Sequence, residues 1–199
     1  MRTYVLSFLF LLQIFSCRTK SGEKSPAANS KRFENSDSTA SDSFFPVTSY
    51  LRGQINDIRE KGVNPVKYIT NEKGVDSVWL KSENFEKEMA PFLETIIDTT
   101  NLKTLFSEER FLDQTLNAYT FTYDPKVTLP DSLALQHWDV YIDPKTNKVK
   151  RIYMIRNLPG NKQQQLTWQS DKWCKVVTIG SDNNSNNVVE NEVLIKWDF

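Results

Sequence analysis

Few side chains in this sequence are suited to chemistry near neutral pH: one histidine, His137, and two cysteines, Cys17 and Cys174. His137 has no cluster of Cys, His or carboxylate ligands near it in sequence, which a zinc site would need, and it reads as a strand-edge residue. No serine sits in a Gly-x-Ser-x-Gly elbow that would make His137 part of a triad. Cys174 and His137 are arithmetically allowed as nucleophile and base. The thiol falls within an apolar strand, however, and the simpler reading is a small buried hydrophobe. The six glycines are scattered at 22, 53, 62, 74, 160 and 180, so no phosphate-cradling loop exists.

The carboxylates give little more. Asp139 and Asp143 share a strand face at roughly 13 Å, outside the about 5–9.5 Å that paired glycosidase acids need. Glu190 and Glu192 would stand about 7 Å apart in an extended chain, an allowed spacing that a polar strand start explains better than paired acids do. Glu108-Glu109-Arg110 reads as a solvated hairpin face. Asp182-Asn183-Asn184-Ser185-Asn186-Asn187 places oxygens at alternate positions, but an EF-hand needs Gly at loop position six and Glu at twelve. Asn187 and Val193 stand there instead. No catalytic residue, metal ligand set or cofactor is assigned.

The remaining candidates are aromatic. Trp138, Trp168, Trp173 and Trp197 follow core-facing alternation. Tyr119, Phe121 and Tyr123 form a same-face stripe. It reads first as core and second as a ligand platform, and these three are the binding candidates. With 25 basic and 25 acidic side chains the formal charge is zero, which gives no electrostatic case for nucleic acid.

The N-terminus is more specific. Arg2 gives a basic start, Tyr4 to Phe15 is almost continuously apolar, and Ser16 precedes Cys17. The run is too short to span a bilayer, which takes about 20 residues, and it has the form of an export signal. Ile14-Phe15-Ser16-Cys17 resembles the lipobox of a bacterial lipoprotein signal peptide. The resemblance implies lipidation of Cys17, cleavage before it, and a stable anchor once two or more acyl chains are present. Arg18 rather than Asp after the cysteine leans towards the outer membrane. Residues 17–43 read as a polar disordered tether with an end-to-end distance on the order of 25–30 Å. Asp37-Ser38-Thr39, and more loosely Asp76-Ser77-Val78, Asp98-Thr99-Thr100 and Asp131-Ser132-Leu133, resemble O-glycosylation acceptors of Bacteroidetes.

Residues 44–199 are expected to form a single globular domain. Val47, Tyr50, Leu51, Ile55 and Ile58 recur with helical spacing, with Gly62 as the stop. Gly53 inside that helix costs about 1 kcal/mol relative to Ala and marks a candidate close contact. Asn71-Glu72-Lys73-Gly74 joins two strands in a hairpin. A second helix is expected from a cap at Ser82, with Phe85, Met89, Phe92, Leu93 and Ile96 on one face and a break at Pro91. From Lys103 onward, turn signals at about ten-residue spacing favour an antiparallel meander, with Val149 to Arg156 as a central strand covered on both faces. The expected fold is α+β: two N-terminal helices with a hairpin between them, packed on a mostly antiparallel C-terminal meander sheet. Trp138 to Arg156 looks like the hairpin of a PepSY-type periplasmic module.

The function these features favour is a non-enzymatic, membrane-anchored envelope module that binds an envelope protein or a glycan. The alternatives are an envelope polymer hydrolase using Glu190, Glu192 or Glu109, or a periplasmic inhibitor or regulatory module.

Overall fold

The computed structural model describes residues 43–182 and 186–197. The expected signal segment, Cys17, the expected tether up to residue 42, residues 183–185 of the Asn-rich loop and residues 198–199 lie outside it.

Helix α1 (Val47–Glu60) follows the apolar spacing, burying Val47, Leu51, Ile55 and Ile58 on one face. Gly62, left-handed at φ 64°, ends it. Gly53 is not a close contact, because open space lies where its side chain would be. Strands β1 (Val66–Asn71) and β2 (Gly74–Trp79) form the hairpin around Glu72-Lys73. Gly74 supplies the φ of 123° that the turn requires. Pro91, which lacks an N–H, divides the next helical stretch into α2 (Ser82–Glu88) and α3 (Ala90–Leu93). Lys81 is the N-cap residue of α2, with no side-chain cap bond. Phe85, Met89 and Phe92 are buried, but the stripe ends on buried Ile97, while Ile96 is 56% exposed. The helix has already ended by then, and Thr48 Oγ1 fixes Ile97 by accepting its N–H at 2.8 Å.

Seven strands follow: β3 (Phe106–Asp113), β4 (Ala118–Pro125), β5 (Leu135–Ile142), β6 (Val149–Leu158), β7 (Lys162–Gln169), β8 (Trp173–Ser181) and β9 (Asn187–Lys196). Asn117, Asn147, Asn161 and Asp171 take positive φ at four of the turns, where Asn and Asp tolerate the left-handed region best.

All nine strands belong to one antiparallel sheet in the order β2-β1-β9-β8-β7-β6-β5-β4-β3. This overturns the expected α+β layout of two helices and a separate hairpin resting on a C-terminal sheet. The hairpin is part of the sheet, because β9 pairs with β1 from Val66 opposite Lys196 to Asn71 opposite Asn191. Among the described residues, only α1 is a long helix. The other two have seven and four residues. The pairing satisfies the outward N–H and C=O groups of β1, which would otherwise form a second exposed edge.

The helices cover one sheet face. Phe92 meets Trp168 edge-on at 5.5 Å, Phe85 meets Trp197 at 5.9 Å, and Phe44 meets Trp138 at 6.0 Å. Trp138 in turn stacks on Tyr123 at 4.5 Å. Along β6 only alternate residues, Ile152, Met154 and Arg156, are buried. The strand is therefore covered on one face and not on both. Arg156 reaches up to α3, where Nη1 donates to the Pro91 carbonyl at 2.8 Å and Nη2 pairs with Glu94.

Candidate functional site

The sheet face turned away from the helices carries side chains in cross-strand rows. One row runs Tyr141, Arg151, Gln169, Trp173 and Lys196. The next runs Thr122, Asp139, Tyr153, Thr167, Lys175 and Leu194. A third runs His137, Ile155, Gln165, Val177 and Glu192. Most of these residues are half-buried, and only Asp139 is buried outright. A bulge at Gln136 places His137 in its row while Leu135 still points into the core.

A polar cluster is built where β4 and β5 meet. His137 Nδ1 lies 2.7 Å from Asp124 Oδ1, and Nε2 lies 3.2 Å from Asp139 Oδ2. Thr122 Oγ1 donates to Asp139 Oδ1 at 2.7 Å, and the Tyr141 hydroxyl donates to Oδ2 at 3.0 Å. The hydrogen bond to Asp139 raises the His137 pKa to about 8 against the opposing effect of burial, and Asp124 adds to the rise. Burial pushes the Asp139 carboxyl up, but its bonds to His137 and Thr122 outweigh this and hold it below its ordinary value. Tyr141 is pushed up by burial and by the Asp139 charge. The Arg151 guanidinium lies over the Tyr141 ring, 4.8 Å from its centre.

This arrangement braces two strands with charge-assisted bonds. It is poorly suited to general base catalysis, since both imidazole nitrogens already face carboxylates and neither is left to take a substrate proton. The available sequence signal was the i, i+2 spacing of His137 and Asp139, which puts both on one strand face. Thr122 and Asp124 enter only through the β4–β5 register.

The other candidates are dispersed. Cys174 is buried on the helix side, with Sγ 3.5 Å from Met89 Sδ, and burial raises its thiol pKa well above the ordinary value. His137 lies on the opposite face, so the two cannot act as nucleophile and base. Glu190 pairs with Lys162 at 2.6 Å and Glu192 with Lys175 at 3.4 Å. Glu109 lies on β3, six strand positions from β9, or about 29 Å at ordinary strand spacing. It cannot share one bond-cleaving site with either. Asp143 accepts backbone N–H bonds from Lys145 and Thr146 in a turn. Among the described residues, no group of three or more His, Cys, Asp or Glu is arranged to hold a metal ion.

Tyr119, Phe121 and Tyr123 do share one face, and it is the helix side. Tyr123 is fully buried, and its hydroxyl accepts the Phe45 N–H at 3.1 Å. Phe121 is half-buried under the Arg110 guanidinium, 5.1 Å from its ring centre. These two rings line a cleft of about 300 Å³ with Phe44, Phe45, Glu108 and Arg110. Tyr119 is half-buried farther along the strand. A larger cleft of about 680 Å³ lies under the β4–β5 connection, between Val127, Leu129, Leu133 and Pro159.

Comparison of the chain with protein-family models, with curated proteins and with solved structures finds no match in any of the three.

Proposed function

We propose that this chain is an exported module, anchored to an envelope membrane through lipid on Cys17, and that it binds an envelope glycan on the open face of its sheet without cleaving it. The observation that carries this reading is the composition of that face. Half-buried Tyr153 and Trp173 present ring surface. Gln165, Thr167 and Gln169 stand beside them at the spacing of neighbouring strands. Aromatic rings offer apolar area with a polar edge, and amides and hydroxyls donate and accept hydrogen bonds. An extended saccharide presents both kinds of surface. The engagement of His137, Glu190 and Glu192 by their own neighbours favours binding over hydrolysis.

The test is affinity sedimentation of the protein with purified envelope polysaccharides. Tyr153→Ala and Trp173→Ala are each expected to weaken retention about tenfold, the effect of losing about 1.4 kcal/mol, with no soluble sugar released. Retention unchanged in both variants removes the open face from the function. Cys17→Ala is expected to abolish incorporation of a labelled fatty acid into the protein, and labelling that persists in that variant overturns the anchor.

A further inference from the structure

We infer that the glycan held on the open face is acidic, and that Arg151 receives its negative group, a carboxylate or a phosphate. This rests on the glycan reading above and names the class of saccharide that the face would take.

Arg151 stands among the residues already placed on that face. Along β6 it shares the face with Tyr153, two positions on and about 7 Å away. Across the sheet it lies opposite Gln169, which lies opposite Trp173. Arg151 and Trp173 are therefore about 10 Å apart at ordinary strand spacing. A sugar unit resting on either ring leaves an acid group, on that unit or on the next, close to Arg151.

The charge of Arg151 is not matched within the protein. Its guanidinium touches the Tyr141 ring and, among the described residues, makes no ion pair and no hydrogen bond. Nε is buried without a partner. The carboxylates on the neighbouring rows are already taken. Asp124 and Asp139 face His137, and Glu192 pairs with Lys175. The ring attracts the cation through its face, but it supplies no acceptor for N–H donors that lie in the plane of the guanidinium. A half-buried guanidinium in this state has lost part of its hydration without gaining an acceptor.

The Tyr141 contact also prepares the group for a ligand. Tyr141 is itself held, because its hydroxyl donates to Asp139 at 3.0 Å. The fixed ring limits the orientations of the guanidinium before any ligand arrives, which lowers the ordering cost of binding. A planar fork of donors matches the paired oxygens of a carboxylate or phosphate. On β7, Thr167 and Gln169 add a hydroxyl and an amide beside it. A neutral saccharide would leave the guanidinium unmatched.

The test is sedimentation of the protein with envelope polysaccharide in three forms. One is untreated, one has its carboxyl groups reduced to alcohols with carbodiimide and borohydride, and one has its phosphate esters removed with cold hydrofluoric acid, with chain length checked by gel filtration. One treatment is expected to lower retention about tenfold, the scale of a lost charge-assisted contact, and the effective treatment identifies the acid. Arg151→Gln should lower retention of the untreated polymer by a similar factor, and its loss should not add to that of the treatment, as for two partners in one contact. Retention of the untreated polymer should weaken with rising salt in the parent and far less in Arg151→Gln. Arg151→Lys, which keeps the charge and loses the planar fork, should fall between the two. Equal retention of all three forms by the parent overturns the acidic assignment and leaves the glycan reading standing. Losses that add remove Arg151 from the contact. No retention of any form overturns both.

Discussion

His137 sits between two carboxylates, and its protonation is therefore linked to stability. Its folded pKa of about 8 lies above the ordinary 6.5. The resulting stabilisation is fully present below pH 6.5 and is lost as pH rises through 8. The ring is partly open to solvent, which reduces the contribution to about 1 kcal/mol. Urea unfolding is expected to show a lower midpoint at pH 9 than at pH 6, and His137→Gln should flatten that difference. An equal slope in the variant would assign the pH dependence elsewhere. Asp139 works in the opposite sense, its contribution present above the ordinary carboxyl pKa and lost on acidification. Cys174 gives a second prediction at this scale. Buried at 1% exposure with its thiol pKa raised, it should resist a thiol reagent at pH 8 in the native protein and react only in denaturant. Rapid native labelling of Cys174, located by peptide mass, would contradict its position.

The four residues of α3 are far too few to hold a helix on their own, so the element depends on what grips it. Arg156 supplies that grip from below, through the Pro91 carbonyl and Glu94. Arg156→Ala should cost about 2 kcal/mol, the scale of a lost charged hydrogen bond, and should increase amide exchange around α3. Glu94→Gln removes a partner that is 59% exposed and should cost less than about 1 kcal/mol. Equal losses in the two variants would show that the ion pair, and not the bond to Pro91, carries the anchor. Elements of this kind were partly legible in the sequence. The α1 stripe and the break at Pro91 are local patterns, each with a local physical cause. Arg156 was not legible, since an arginine in an alternating strand gives no sign that a helix carbonyl waits above it.

Across the whole molecule, one pairing decides the architecture, and it joins the first strand, β1, to the last, β9. Nothing in residues 66–71 specifies that residues 191–196 will lie beside them, because β pairing is set by register over long separations and not by local periodicity. The meander was therefore readable while the inclusion of the hairpin was not, and the His137 cluster stayed hidden for the same reason: Thr122 reaches Asp139 only once β4 and β5 are in register. This dependence leads to a direct prediction. A chain ending at Asp182 lacks β9, so β8 and β1 each lose one of their two neighbours. Ile195 and Trp197, both in the core, are lost with it. The β1–β2 hairpin left behind is marginal in water by itself, and α2 loses the Phe85–Trp197 contact. The truncated protein should show no cooperative urea transition and little near-ultraviolet circular dichroism. Deleting residues 66–79 instead leaves β9 paired with β8 as a new edge, so a cooperative transition should persist at a lower midpoint. If the chain ending at Asp182 unfolds as sharply as the full chain, β9 does not lie between β8 and β1.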